Sequence, residues 1–144
     1  MDDHSQLGFG QVMASERKED VAAFQNAAAA SYRKLGNKVE RVMTDSGSCL
    51  RLRTFSKTCA ALGFERIGTR PCTHNTNGRA ERFIQLSLRE WAFGRAYRES
   101  EQRRADLPHW RHHYIWHRPY ACIKREPPIS RSGLGACKLM VCRS

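Results

Sequence analysis

Residues 75–83 read NTNGRAERF, an Asn-Gly pair followed at once by a helical pattern. Glu81 lies in the first turns of that helix, where the helix dipole favours a negative side chain. Upstream, residues 42–48 read VMTDSGS, so an apolar run ends at Asp45 before a Ser-Gly turn. This pattern predicts that Asp45 projects from the end of a strand. Two carboxylates brought together from a strand end and a helix start can share Mg²⁺, which prefers oxygen ligands and supports phosphodiester transfer.

Each carboxylate has a simpler explanation when it is taken alone. Asp45-Ser46-Gly47 has the composition of a turn closed by an Asx-type hydrogen bond, which is the commoner use of such residues. Glu81 is also an ordinary kind of helix-start acid. The hypothesis of a shared site therefore depends on both segments and on their surroundings.

Those surroundings carry a family resemblance. Residues 42–48, together with residues 69–85 (TRPCTHNTNGRAERFIQ), resemble the catalytic core of DDE transposases of bacterial insertion sequences, which are relatives of retroviral integrases. The resemblance extends from residues 2–5 through 118–119 to 127–128. Its most specific part is Asn77-Gly78-x-x-Glu81 at its distance from Asp45.

The resemblance implies an α/β fold of the ribonuclease-H-like kind, with a mixed sheet flanked by helices. It implies that Asp45 and Glu81 are catalytic residues and ligands of a site for Mg²⁺ or Mn²⁺, with two ions in an intact site. Asn77, Arg79 and Gln85 surround Glu81, so we expect them to contact the DNA backbone. Transposon ends and target DNA are the implied partners, a homo-oligomer is the implied working form, and no small-molecule substrate is expected.

The resemblance also implies a departure at the start of the chain. These enzymes use three carboxylates, and the first belongs to a strand upstream of the segment that residues 2–6 resemble. The local match argues against promoting Asp2 or Asp3 to that role. We therefore expect a truncated copy that is inactive alone, with a sheet incomplete at its N-terminal strands. Residues 1–123 would form the core without its first strand, and residues 124–144 a loosely ordered C-terminal extension.

The hydrophobic pattern predicts alternating strands and helices, as in a sheet covered by helices on both faces. Gly36 and Gly63 are expected to end the first two helices. The long helix of Glu81 is expected to bury a stripe of Ala80, Ile84, Leu88 and Trp91. The predicted elements are a strand at 7–14, a helix capped by Ser15 and running to 35, a strand at 39–44, a helix at 50–62, a strand at 64–67, the Glu81 helix, and a helix at 103–116.

Composition agrees with a nucleic-acid partner without proving one. Lys and Arg number 25 against 14 Asp and Glu, which gives a formal net charge of +11 and favours a polyanion. The sequence has no membrane-span pattern or signal peptide, which predicts a cytoplasmic protein without a membrane partner. Its 6 cysteines form no Cys-x-x-Cys pair, so reduced thiols are expected.

Several alternatives remain open. His109, His113 and His117 fall on one face of the 103–116 helix and its end, but without a supporting ligand a solvated basic helix is the better interpretation. Trp91, Trp110 and Trp116 are interpreted as core or interface residues in preference to base-stacking platforms. At the level of function, a transposase catalytic domain competes with a non-catalytic DNA-binding remnant. A basic RNA-binding module ranks last, because it lacks any aromatic ribonucleoprotein motif.

Overall fold

Three parallel strands form the sheet at the centre of the computed structural model, in the order β2-β1-β3. The structure describes residues 1–13, 18–44, 53–68, 78–133 and 137–141. The strands are β1 (Val39–Thr44), β2 (Glu65–Gly68) and β3 (Cys137–Val141). The helices are α1 (Lys18–Lys34), α2 (Arg53–Ala61), α3 (Gly78–Ser87), which continues as a π-helical turn (Leu88–Ala92), and α4 (Ser100–Trp116), with 3-10 turns at Ala121–Ile123 and Pro128–Arg131.

Strand β1 is covered on both faces. Consecutive residues of a strand point to opposite sides of the sheet. Val42 and Met43 are nevertheless both buried, with 2% and 4% of their surface exposed. Val42 joins the main core, whereas Met43 packs with Ala80 of α3 and Ile67 of β2. The predicted strand at 39–44 is therefore confirmed. The sequence predicts a mixed sheet, but the described strands pair only in parallel.

Aromatic rings fill the main core. Phe83 of α3 meets Tyr114 of α4 edge to face, with 5.1 Å between ring centroids, and Trp110 stacks on Tyr114 at 5.5 Å. Tyr32 of α1 and Phe55 of α2 close the other side of the same cluster. This core fixes α3 and α4 against each other and against the sheet.

Glycines end the first two helices, as the sequence predicts. Gly36 has φ +78° and Gly63 has φ +72°, a left-handed conformation that glycine adopts without steric cost. The amide of Gly36 donates to the carbonyl of Arg33 at 3.0 Å, and the amide of Asn37 to that of Tyr32 at 3.0 Å. The predicted cap Ser15 and the first residues of the predicted 50–62 helix lie outside the described residues.

The predicted strand at 7–14 is wrong, because residues 7–13 have no regular secondary structure. Helix side chains and the loop's own backbone supply hydrogen bonds here, and the Leu7 carbonyl accepts from the Asp2 amide at 2.8 Å. The carbonyl of Leu7 accepts from the Tyr32 hydroxyl at 2.8 Å, and the carbonyl of Gln6 from the Tyr114 hydroxyl at 2.9 Å. We call residues 1–13 the N-terminal loop.

The predicted stripe of the Glu81 helix is correct only in part. Ala80 is buried, and Ile84 and Trp91 are partly buried, but Leu88 is 37% exposed and Phe83 takes a core position instead. Phe83 follows Ala80 by three residues and so lies on the same side of α3. Leu88 follows Ala80 by eight residues, which at about 100° per residue turns it roughly 80° away from Ala80.

Residues beyond Lys124 are more regular than the expected loose extension. The Asn37 side-chain amide donates to the Ser132 hydroxyl at 2.8 Å, and the Gly133 amide donates to the Asn37 side-chain carbonyl at 3.0 Å. Beyond these contacts, β3 pairs with β1 from Val39↔Cys137 to Thr44↔Val141. The prolines and glycines of this segment predict a loop. The strand β3 is not predictable from them, because its pairing partner β1 lies far away in the sequence.

Candidate active site

The start of α3 packs against the end of β1. Met43, the second-to-last residue of β1, is buried against Ala80, and Ile67 of β2 joins this contact as the register partner of Met43. Glu81 follows Ala80 directly, lies in the first turn of α3 and is exposed. The first turn of α3 therefore lies over the carboxyl ends of two parallel strands, which is where open α/β sheets commonly bind ligands.

Asp45 follows the last residue of β1. Thr44 is fully buried and pairs with Gly68 on one side and Val141 on the other. Asp45 itself lies outside the described residues, as does Asn77. The distance between the Asp45 and Glu81 carboxylates, expected to be about 4 to 8 Å if metal ions bridge them, therefore stays a prediction.

The donor chemistry at this edge suits a hard divalent cation. Glu81 offers an exposed carboxylate, the ligand type that Mg²⁺ prefers. Within the described ranges, no group of three or more His, Cys, Asp or Glu side chains has an arrangement that could hold a metal ion. Glu81 is thus a described carboxylate at this edge, and its predicted partner Asp45 lies outside the described residues.

Asp2 and Asp3 have other contacts. The Asp2 side chain is buried and accepts hydrogen bonds from the amide of Ser5 at 2.8 Å and from its hydroxyl. The Asp3 carboxylate pairs with the guanidinium of Arg79 at 2.5 Å, and the Asp3 carbonyl accepts from the same nitrogen at 2.6 Å. Asp2 therefore stabilises a turn, in agreement with the interpretation that it is not a third catalytic carboxylate.

The N-terminal loop holds α3 at two points. One is the Asp3 contact with Arg79, and the other is the close approach of Gly8 to the ring of Phe83, one helical turn further on. Sequence reasoning missed both contacts. They join residues that are about 75 positions apart, and neither Asp3 nor Gly8 has a local pattern that indicates its partner.

Two of the three residues that are predicted to contact DNA lie on α3. Arg79 and Gln85 are both exposed, and so are Arg82 on α3 and Arg89 on the π-helical turn. Arg79 is not a free cation, since Asp3 neutralises it. The exposed face of α3 near Glu81 thus combines a carboxylate with several basic or amide side chains.

The histidines of α4 lie away from the core. His109, His113 and His117 are all exposed, with 6.0 Å between the ring centroids of His113 and His117. Among the tryptophans, Trp110 is 9% exposed and belongs to the core, and Trp91 donates to the carbonyl of Arg103 at 2.8 Å. Trp116 is 45% exposed and therefore not a core residue, which leaves the interface alternative of its interpretation untested.

Comparisons with known proteins agree with this geometry. Residues 62–128, which include Glu81 and not Asp45, match the family model of the integrase core domain. Among 28 matching solved chains, the catalytic core domain of BIV integrase superposes with a TM-score of 0.66 at 18% identity, covering 89% of this chain and 78% of that one. No curated protein sequence matches the chain.

In the described part of the chain, no helix has the length and apolar character that crossing a membrane requires.

The family match covers β2, α3 and α4, and the structural match covers 89% of the chain. Residues 62–128 are therefore similar to the integrase core domain, and the chain shares the ribonuclease-H-like fold of the BIV integrase catalytic core.

Proposed function

We propose that this chain is the catalytic domain of a DDE-type transposase or integrase, a polynucleotidyl transferase that cleaves DNA and transfers its strands. The observation that carries the proposal is the burial of Met43 against Ala80. This contact joins the end of β1, which directly precedes Asp45, to the first turn of α3, which contains Glu81. The match of residues 62–128 to the integrase core domain supports the same proposal.

Asp45 and Glu81 would hold the divalent cation, Mg²⁺ or Mn²⁺. Such a cation, when bound, stabilises the attacking and leaving oxygens of an in-line displacement at phosphorus. The fold would hold the two carboxylates close enough to share the ion. Ala80 seats the helix start on Met43, and Phe83 locks the next turn into the aromatic core.

The DNA would lie along the exposed face of α3. Arg82 and Gln85 flank Glu81 on this helix, and Arg89 extends the same exposed surface. Side chains of this kind contact phosphates and position the duplex without reading its sequence. Asn77 and Arg79 complete the proposed contact set, with Arg79 available once a phosphate displaces the Asp3 carboxylate.

Non-catalytic DNA binding is the second candidate function, and the burial of Asp2 favours it. The family resemblance implies three carboxylates, and in this chain Asp2 is used in the Ser5 turn while Asp3 pairs with Arg79. The exposed basic face of α3 needs no metal to bind a polyanion. On this second hypothesis, residues 1–144 alone bind DNA and do not cut it.

A double-mutant cycle on Mn²⁺ binding tests whether Asp45 and Glu81 share an ion. Isothermal titration of the chain with Mn²⁺ should give an affinity that Asp45→Asn and Glu81→Gln each weaken by about tenfold or more. The double variant should bind no more weakly than the weaker single variant, because the two carboxylates act on one ion. Independent, additive losses would contradict a shared site.

Glu101→Gln is the matched control, since Glu101 is also an exposed acid in the first turn of a helix. Its substitution removes the same charge and the same favourable contact with a helix dipole. It should leave the Mn²⁺ affinity unchanged. An equal effect at Glu101 would mean that the titration reports only nonspecific charge.

Nicking of a supercoiled plasmid separates the two candidate functions. DNA binding without Mg²⁺-dependent nicking supports the non-catalytic function of residues 1–144 alone. Nicking that requires Mg²⁺ and is lost in both Asp45→Asn and Glu81→Gln supports catalysis by this chain as it stands. Absence of DNA binding at low salt would contradict both.

A further inference from the structure

Four aromatic side chains form an exposed cluster at the C-terminal end of α4. They are His112, His113, Trp116 and His117, and we call them the α4 ring cluster. The ring centroids of His112 and Trp116 lie 6.0 Å apart at an interplanar angle of 23°, and those of His112 and His117 lie 5.4 Å apart. Trp116 remains 45% exposed, so much of its indole faces solvent.

Neither the core nor a metal explains this cluster. The neighbouring Trp110 and Tyr114 are buried in the main core, whereas all four members of the α4 ring cluster are exposed. A metal site would need three suitably arranged ligands, and no such arrangement occurs in the part of the chain that the structure describes. A large exposed aromatic side chain beside imidazoles is instead typical of a binding surface.

The net charge of the chain favours an anionic partner, since it is formally +11 with histidine counted as neutral. Glu90 is an acid on the π-helical turn that packs against α4, and it is paired with Arg118. Arg111 lies over the ring of Phe9, with 5.0 Å to its centroid, on the core-facing side. A partner with both flat rings and negative charge would match this surface.

We propose that the α4 ring cluster binds unpaired nucleobases of single-stranded DNA, with Trp116 as the stacking platform. A base inside a duplex has both faces covered by its neighbours, so an exposed indole can stack only on a base that has left the helix. Such stacking is worth about 1 to 3 kcal/mol per base and tolerates any sequence. The proposal rests on DNA as the partner of the proposed function but involves a different surface from the α3 face.

Anisotropy of a labelled oligothymidylate of roughly 16 nucleotides measures this binding directly with the full chain. Trp116→Ala should weaken single-strand binding by about 5- to 150-fold, the equivalent of one stacked base. Trp116→Phe keeps a ring and should retain most of the affinity. Binding of a duplex of the same length should stay within about twofold for both variants, because phosphate contacts dominate it.

Salt and a second exposed aromatic residue supply the controls. The ratio of wild-type to Trp116→Ala affinity should stay constant as the salt concentration rises, because stacking releases no counterions. Phe93→Ala removes a ring that is 75% exposed in a different segment, and it should have no effect.

The proposal is overturned if the wild-type chain binds no single strand, or if Trp116→Ala binds it like the wild type. Equal losses for duplex and single strand, or a change only in oligomeric state, would also overturn it. The proposed function would fail separately, through loss of duplex binding or of the shared Mn²⁺ site. If Trp116→Ala still binds duplex DNA, failure of the single-strand proposal is distinguished from failure of the proposed function.

Discussion

Gly8 leaves no room for a side chain. An added Cβ atom would lie 2.1 Å from Cε2 and 2.4 Å from Cζ of the Phe83 ring, and Phe83 is itself buried in the aromatic core. The ring cannot retreat without disturbing Trp110 and Tyr114, which it contacts. The absence of a side chain at Gly8 therefore allows the N-terminal loop to pack directly against the Phe83 ring of α3.

We expect Gly8→Ala to destabilise the fold by about 1 to 3 kcal/mol, the usual cost of overpacking. Urea unfolding followed by circular dichroism measures the change. Gly10→Ala is the control, because a Cβ atom there meets nothing within 4 Å, and its effect should stay within about 0.5 kcal/mol. Equal effects at the two glycines would contradict the packing explanation.

Tyr114 couples stability to pH. Its hydroxyl donates to the Gln6 carbonyl at 2.9 Å, and burial, assisted by the neighbouring Tyr120, raises the pKa of the hydroxyl well above its ordinary value of 10.0. Above about pH 10 the unfolded chain loses this proton while the folded chain keeps it. The contribution of Tyr114 is therefore complete below pH 10 and falls by about 1.4 kcal/mol per pH unit above it.

Tyr114→Phe removes both the hydrogen bond and the titration. At pH 8 we expect the variant to be less stable than the wild type by about 1 to 3 kcal/mol, since the Gln6 carbonyl loses its donor. Between pH 10 and pH 11 the gap should narrow by roughly 1 kcal/mol. Urea unfolding of both proteins across this range provides the measurement, and a gap that is independent of pH would contradict the assignment.

The elements differ in how well the sequence predicts them. Strand β1 is predicted with its observed limits, because Val39, Val42 and Met43 give a strand-like pattern between the Gly36 helix end and the Ser-Gly pair at 46–47 of the sequence. The segment predicted as a strand at 7–14 begins beside Gln6 and Leu7, whose carbonyls accept from the hydroxyls of Tyr114 and Tyr32. No local pattern contains that information, because the partners depend on how the helices pack.

The candidate site follows the same division. Glu81 at a helix start is predictable from the Asn-Gly pair and the helical pattern beside it. The anchoring of that helix by Asp3 and Gly8 is not predictable, since these contacts arise only after the chain has folded. Local patterns therefore identify the chemical groups, and tertiary packing determines how firmly they are held.

The ion pair between Asp3 and Arg79 predicts a specific effect on DNA binding. Both side chains are partly exposed, so the pair itself contributes little to stability. Asp3→Asn removes the charge that neutralises Arg79 but keeps the Asp3 carbonyl contact, so it should raise the affinity for duplex DNA by favouring a phosphate beside the guanidinium. A gain of one contact should also make the log-log salt slope steeper by about 0.9.

Anisotropy titrations of a labelled duplex at several salt concentrations measure both quantities. Glu101→Gln is the control, because it changes the net charge by the same amount on α4, away from Arg79 of α3. If Asp3→Asn and Glu101→Gln have the same affinity and slope, the effect is one of overall charge, and Arg79 does not contact the DNA.

The whole molecule depends on how the sheet is closed around β1. Strand β3 comes from the C-terminal part of the chain, yet it pairs in parallel with β1 over the whole length of that strand. Asn37 and Ser132 hold the approach to β3 beside the start of β1. Without this pairing, β1 would present a row of unpaired amides and carbonyls next to Val42 and Thr44, which are buried in the intact fold.

The last prediction tests this closure with a pair of prolines in β3. Successive amides of a strand point to opposite sides, so replacing both Lys138 and Leu139 by Pro removes a donor toward β1 whichever residue supplies it. We expect loss of the strand, exposure of the β1 edge and concentration-dependent self-association, measured by light scattering at low protein concentration. Replacing the same two residues by Ala removes the same side chains and charge but keeps both amides, and this variant should stay much closer to the wild type. If the two double variants self-associate equally, side-chain burial and not backbone pairing holds β3 in the sheet. If neither does, the β1 edge does not need β3 for its protection.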